Sequence, residues 1–470
     1  MTVTAAGASA RSRAFGLAGI CLGFLMITLD ATIVNVALGP IGADLGGAIS
    51  TAQWIVNGYT LAFAALLLSA GALADRIGSR TGFLVGLAIF ALGSAACAGA
   101  TSLGVLIVAR VVQGAGAATS MPCSLALIAH AYPQARDRRR ALSLWGGASG
   151  IGLAAGPVLG GVLIAALSWR AIFLVNVPIA AVAALLLVRH VEETRRHGHP
   201  LDIPGQLLAI AGLASLTAGF ITAGGQGWGA MLTLALLGSG IAVAGAFVVV
   251  ERAVAHPMVD PLLFRERTFS TAVAIGTVFN FCLYGAIFCL AIDLHHARGL
   301  DPLHTGLALL PMTVVTGTMA FLSGRLVGRV GEWRAIVVGL AAGGAGALLI
   351  GLTGPAVSAP ALIAFSVLLG VSALAMPAMT ALALSRAPRD RVGLTSGVFN
   401  ASRQTGGALG VAVLGALLVS GGGSVSLRAA FLITAAAYAI GVALAVSGHR
   451  RASAGTRGFN RYETRPATRT

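Results

Sequence analysis

Apolar runs of about 20 residues, separated by short polar turns, repeat along the whole chain. Fourteen such runs fall near residues 14–38, 51–74, 81–100, 103–130, 141–167, 171–189, 203–223, 230–250, 268–292, 303–323, 333–352, 357–380, 393–419 and 426–447. At 1.5 Å per residue a helix of about 20 residues spans about 30 Å, the thickness of the bilayer hydrocarbon core. Each run therefore predicts a membrane-crossing helix that satisfies its own backbone. The first run has no small-residue cleavage site behind it and carries Asp30 and Asn35, so it reads as a retained span and not a signal peptide.

The polar positions between the runs predict a topology. All 31 basic residues are arginine. With the N-terminus placed inside, 26 of them fall on inner loops and tails, and only Arg170, Arg298 and Arg428 fall on the outer side. Arg110 and Arg403 lie within runs. One missed span would exchange the later loops and destroy this bias, so it predicts an even span count and two cytoplasmic termini. Charged loops at 189–199 and 251–267 divide the runs six, two and six. The expected units are residues 1–190 (a six-helix bundle), 191–267 (linker loops with two inserted helices), 268–448 (a second six-helix bundle) and 449–470 (a tail). GALADRIG at 71–78 and GRLVGRVG at 324–331 follow the second run of each half, a faint internal repeat of the kind that builds secondary transporters.

Composition narrows the class. The 470-residue chain has a mean hydropathy of +0.90 and is only 10% charged, where a soluble domain carries about 25%. That excludes a soluble enzyme, a disordered tail protein and a disulfide-stapled module. The net charge of +16 is read as loop anchoring and not as nucleic-acid binding. Cys21, Cys97, Cys123, Cys282 and Cys289 lie in apolar runs without metal-ligand spacing and read as buried thiols. The chain has no P-loop and no H-E-x-x-H, so no metal, cofactor or enzymatic activity is expected, and pumping has to run on an ion gradient.

Asp30 and Arg110 are the first candidates for chemistry. A charge at mid-membrane costs at least ~2.5–3.5 kcal/mol on insertion scales and needs a partner or a job. Asp30 lies roughly 12 Å and Arg110 roughly 10 Å below the outer ends of their spans, so the two can meet at one depth. Either a substrate-sensitive proton acceptor or a static pair fits that placement. Thr32, Asn35, Gln53, Asn57 and Gln113 add polar groups in the first bundle, as cavity lining or as interhelical bonds. Gly71, Asp75, Arg76, Gly78 and Arg80 sit at an inner turn and form a candidate latch. Gly152, Gly156, Pro157, Gly160 and Gly161 place a small face and a helix-loosening proline in the fifth span, a candidate pivot. Asn400 and Arg403 are candidates in the thirteenth span, with Arg403 facing either an anion or the inner surface. Asp293 and His295 close the ninth span as a port, a gate or an exposed loop. Trp54, Tyr59 and Phe281 are candidates for stacking on substrate.

These residues resemble the major facilitator superfamily, in its fourteen-span drug:proton antiporter branch. LDATIVNVAL at 29–38 resembles the first-span motif, and GALADRIGSR at 71–80 the loop motif. RVVQGAGAA at 110–118 resembles the fourth-span motif assigned to proton coupling. GLAAGPVLGG at 152–161 resembles the fifth-span motif of antiporters. HARG at 296–299 and LLPMT at 309–313 resemble actinomycete antibiotic exporters of the methylenomycin-resistance type. Three positions depart from the pattern: Gly39 intervenes before Pro40, Gly328 stands where the second loop copy would carry an Asp, and Asp293 replaces an uncharged residue. The resemblance implies an all-α major facilitator fold in a bacterial cytoplasmic membrane. It further implies a monomer that exports a small lipophilic drug in exchange for protons, with small molecules, protons and lipid as its partners. Proton-coupled uptake and a non-transporting sensor or scaffold are the alternatives. The fifth-span glycines argue against uptake, and the cost of the buried charges argues against a scaffold.

Overall fold

The computed structural model describes residues 10–47, 49–194, 202–254, 257–385, 392–419 and 427–463. Fourteen long helices follow one another through these residues: α1 (Arg11–Leu45), α2 (Ile49–Ile77), α3 (Ser79–Ala98), α4 (Leu103–Ala131), α5 (Ala135–Ala166), α6 (Ala171–His190), α7 (Ile203–Gln226), α8 (Met231–Ala253), α9 (Arg267–Ile292), α10 (Pro302–Val330), α11 (Glu332–Thr353), α12 (Ala359–Leu384), α13 (Val392–Val419) and α14 (Leu427–Glu463). Among the described residues thirteen of them, all but α13, are long and apolar enough to cross a membrane. The exception has 28 residues and packs like its neighbours, but it carries Asn400, Arg403 and Gln404 near its middle. Its polar groups are covered by protein, a compensation that sequence length and composition do not register.

Local chemistry sets the helix ends. Ser102, Asp202, Asp301 and Ser358 accept from backbone N–H groups in the first turns of α4, α7, α10 and α12. The internal repeat seen in the sequence becomes a matched pair of turns. Gly78 between α2 and α3 has φ +94°, and Gly331 between α10 and α11 has φ +84°. Only glycine enters that region without strain, and each reverses the chain in one residue. Four spans are not regular throughout. α6 is broken at Val175 between Ala171–Leu174 and Asn176–His190. α1 passes through a 3₁₀ turn at Val34–Ala37, α9 runs into a π-turn at Asp293–Ala297, and α12 contains a 3₁₀ turn at Ser372–Leu374.

The polarity of the fold is inverted relative to a soluble protein. Asp30, Arg110, Gln113 and Asn176 are fully buried, whereas Met231 is 88% exposed and Leu92 70% exposed. Water would penalise that arrangement and hydrocarbon rewards it. The chain is thus a multi-pass membrane protein.

α1 packs on α5 and α6, and α4 packs on α2 and α3. α9 packs on α13 and α14, while α12 packs on α10 and α11. The two groups meet chiefly along two seams, α5 with α10 and α2 with α13, and the C-terminal part of α1 also touches α9 and α10. Along the first, Gly161 lies against Leu303, Gly306 against the Pro157 carbonyl and Gly150 against Gly317. Along the second, Gln53 lies against Gly415 near one end and Leu68 against Gly397 near the other. The inserted α7 runs beside this seam and touches both groups. Gln206 donates to the Ala65 carbonyl (2.8 Å) on α2, and Gly224 packs on Ala416 of α13. α8 packs on α7 and otherwise faces outward, burying only Thr233, Gly240 and Glu251.

Candidate functional site: a buried charge pair between α1, α4 and α6

Asp30 and Arg110 form an ion pair, with both side chains fully buried. Arg110 Nη1 donates to Asp30 Oδ2 and to Gln113 Oε1 (2.9 Å), while its Nε donates to the Ile55 carbonyl (3.0 Å). The other carboxylate oxygen accepts from Asn176 Nδ2 (2.8 Å) and Gln113 Nε2 (3.2 Å). Both amides also donate to Ser94 Oγ, and the Cys97 thiol donates to Gln113 Oε1 (3.3 Å). The Arg110 guanidinium lies 4.3 Å from the Tyr59 ring centroid and 5.9 Å from that of Phe173. Five helices and two aromatic faces therefore enclose one charge pair. In such a low-dielectric site every bond is strong, and every broken one is costly.

Arg110 Nη2, Asn176 Oδ1 and both polar atoms of Asn57 are buried without a partner among the described residues. The network can thus accept further bonds or rearrange. Ser94, Cys97 and Asn176 are members that the sequence reading missed. Asn176 had a signal, a lone amide in the apolar run 171–189, where burial needs a reason. Ser94 and Cys97 had none.

Several candidates take other places. Tyr59 is buried against Arg110, and its hydroxyl donates to the Ile27 carbonyl (3.2 Å), so its ring is not free to stack on substrate. Thr32 faces α5, donating to the Leu153 carbonyl (3.3 Å), and Asn35 donates back to the Thr32 carbonyl (3.1 Å). Gln53 crosses the α2–α13 seam and donates to the carbonyls of Val411 and Ala412, both at 3.1 Å. Asn400 turns back onto the Ser396 carbonyl (2.9 Å), and Trp54 and Phe281 are half-buried. Asp293 stands apart from Asp30, pairing with Arg298 (2.7 Å), which also donates to the Val357 carbonyl (2.8 Å). His295 reaches α1, and a Cβ on Gly39 would lie 1.9 Å from its Nε2.

The fifth-span glycines lie where α5 passes two helices at once. A Cβ on Gly152 would lie 2.3 Å from Thr28 Oγ1, one on Gly156 2.0 Å from Thr32 Oγ1, and one on Gly160 2.7 Å from Val36 Cγ2, all on α1. Gly161 and Pro157 meet α10 instead. At the α2–α3 turn, Gly71 packs on Pro122 of α4 and Arg76 ends α2 in an exposed position. The Asp75 side chain lies outside the described residues. Among the described residues Gly78 and Arg80 meet the end of α6 and the segment after it, and not the second helix group. Glu193 accepts from the backbone N–H groups of Arg80 (2.9 Å) and Thr81 (3.0 Å), and Arg80 Nη2 donates to the Val188 carbonyl (2.9 Å). Partial burial pushes the Glu193 carboxyl up, but the Thr81 hydroxyl and three backbone N–H groups outweigh it and hold the carboxyl below the usual glutamate range.

A buried ion pair inside a two-group helical membrane protein defines a class, the polytopic transporters with discrete central charges. The chain belongs to the Major Facilitator Superfamily, which it matches over residues 20–411 and again over 273–468. It is 36% identical over 405 residues to the methylenomycin A resistance protein of Streptomyces coelicolor, covering 86% of this chain and 85% of that one. It is 37% identical over 412 residues to the multidrug resistance protein Stp of Mycobacterium tuberculosis, covering 87% and 76%. It is 34% identical over 414 residues to the tetracenomycin C resistance and export protein of Streptomyces glaucescens, covering 87% and 76%. Among solved structures, the human organic anion transporter MFSD10 superposes with a TM-score of 0.67 at 18% identity, covering 92% of this chain and 99% of that one. That likeness concerns the fold alone.

Proposed function

We propose that this protein exports a small lipophilic compound across the bacterial cytoplasmic membrane in exchange for protons. Asp30 accepts the proton and Arg110 is its modulating partner. The observation that carries this reading is the enclosure of Asp30, whose carboxylate holds three side-chain donors on three residues inside an apolar bundle. The names of the relatives, resistance and export proteins for antibiotics, agree with efflux.

The chemistry follows from the donor set. Ionised Asp30 draws the guanidinium of Arg110 and the amides of Gln113 and Asn176 onto itself, tying α1 to α4 and α6. A protonated Asp30 loses the ionic attraction and one acceptor position. Arg110 then keeps the Ile55 carbonyl, Gln113 and the Tyr59 face, so α1 is released while α4 stays solvated by protein. Protonation thereby biases how α1 sits against its neighbours.

The arginine-rich end faces the cytoplasm, with both termini inside. Residues 1–190 and 268–448 form the two moving units, 191–267 links them, and 449–470 is a cytoplasmic tail. The protein works as a monomer. α5, held to α1 by its glycines and to α10 across the seam, is the pivot, and the α2–α3 turn, tied to the end of α6 through Glu193, is a latch within the first unit.

Substrate-induced proton movement in inside-out vesicles tests the reading. A panel of antibiotics and lipophilic compounds added to respiring vesicles is expected to discharge the pH gradient. Asp30→Asn, at equal membrane level, is expected to abolish the response. Transport unchanged by both Asp30→Asn and Arg110→Ala would overturn the coupling assignment.

A further inference from the structure

The two intramembrane arginines are treated differently. Arg110 has its carboxylate. Arg403, on α13, has none among the described residues. Its polar partner there is Asn280 on α9, whose Oδ1 lies 3.4 Å from both Nε and Nη2, long contacts for a guanidinium. Asn280 is itself buried, and its amide donates to Gln404 Oε1 (3.3 Å), so its orientation is fixed for this task. The pocket for the arginine is built. Gly276 leaves room for the Arg403 stem (a Cβ there would lie 3.0 Å from Cγ), and the Phe399 ring centroid lies 5.7 Å from the guanidinium. Along the α2–α13 seam Leu68 lies against Gly397 and Gln53 against Gly415, so Arg403 sits between these two ends near the level of Phe63, about one turn from Tyr59, the residue that covers Arg110. Arg403 therefore belongs to the same central region as the Asp30–Arg110 pair. That pair is neutral as a unit, so the region carries one uncompensated positive charge.

We propose that Arg403, oriented by Asn280, is an anion-binding subsite, and that the compound carried is a small lipophilic molecule bearing a carboxylate or an equivalent acidic oxygen group. This rests on the efflux reading above and narrows its substrate class. A planar guanidinium accepts a carboxylate through two parallel N–H···O bonds, a geometry that a single amide oxygen at 3.4 Å does not fill. The same charge disfavours lipophilic cations, because Arg403 is met by an amide and an aromatic ring and by no carboxylate among the described residues.

The test uses the full-length protein in nanodiscs with three probes of one shape: 1-naphthoate, 1-naphthamide and 1-naphthylmethylammonium. Binding is measured by calorimetry. The expected order for the wild type is carboxylate, then amide, then ammonium. Arg403→Gln is expected to weaken naphthoate about tenfold or more while leaving naphthamide within about twofold. Arg403→Lys keeps the charge but not the fork and is expected to fall between. Thermal unfolding and size exclusion establish that each variant is folded. Equal losses for all three probes would mean that Arg403 only supports packing and would overturn the proposal. So would failure of the folded wild type to bind naphthoate, or preference for the ammonium. The efflux reading is judged separately by proton movement in vesicles. Loss of naphthoate binding in Arg403→Gln together with absent proton movement would retain the anion subsite and reject efflux.

Discussion

Gly39→Ala isolates one contact between the two helix groups. A Cβ at position 39 would lie 1.9 Å from His295 Nε2 and 2.1 Å from its Cδ2, where relaxed heavy-atom contacts are about 3.5–4.0 Å. The ring has to retreat by roughly 1.5 Å, or the ends of α1 and α9 have to part. Retreat is opposed because His295 Nδ1 is hydrogen-bonded to the Leu300 carbonyl at 2.9 Å. Overpacking of this kind costs about 1–3 kcal/mol, and loss of the hydrogen bond adds about 0.5–1.5 kcal/mol. Both penalties disappear once the arginine-poor ends separate. Together they amount to a bias of about 1.5–4.5 kcal/mol, which shifts that equilibrium roughly 10- to 2,000-fold toward the state open at this face. A cysteine at Ala412, fully buried in the α2–α13 seam, reports the opening through its rate of labelling by a membrane-impermeant maleimide in right-side-out vesicles. The labelling rate is expected to rise by that factor in Gly39→Ala. Gly42→Ala, three residues along the same helix with its nearest neighbour at 3.9 Å, is expected to leave it unchanged. His295→Ala added to Gly39→Ala is expected to restore slow labelling. Equal rates for Gly39→Ala and Gly42→Ala would refute the steric argument.

Other consequences are as specific. Asn176→Ala leaves Asp30 Oδ1 with Gln113 alone, at a cost of about 1–3 kcal/mol, and is expected to reduce vesicle transport about tenfold or more at normal expression. Gly156→Ala sets a methyl 2.0 Å from Thr32 Oγ1 and is expected to destabilise the protein by about 1–3 kcal/mol in thermal unfolding, while Gly104→Ala, with nothing within 4 Å, serves as the silent control. Glu193 has a carboxyl held below its usual range, so its contribution to stability is complete above the unfolded value and is lost as pH falls through the folded one. Unfolding measured below about pH 4.5 is expected to show a smaller acid-induced loss in Glu193→Gln than in the wild type.

What the sequence determined by itself was everything that follows from period and repetition. The succession of long helices and the paired glycine turns are local consequences of apolar length and backbone freedom. The depth arithmetic also brought Asp30 and Arg110 together, because two charges in hydrocarbon have few other options. The partners were decided by tertiary structure. Which face of α6 turns inward set Asn176 on Asp30, and the rotation of α2 turned Tyr59 onto Arg110 instead of toward substrate. The same packing tied Arg80 to the segment after α6, seated His295 on Gly39 and left Arg403 with the Asn280 amide as its polar partner among the described residues. A helix in lipid can be rotated without changing its length or composition. Its neighbours alone fix the angle, and that angle decides which polar group meets which.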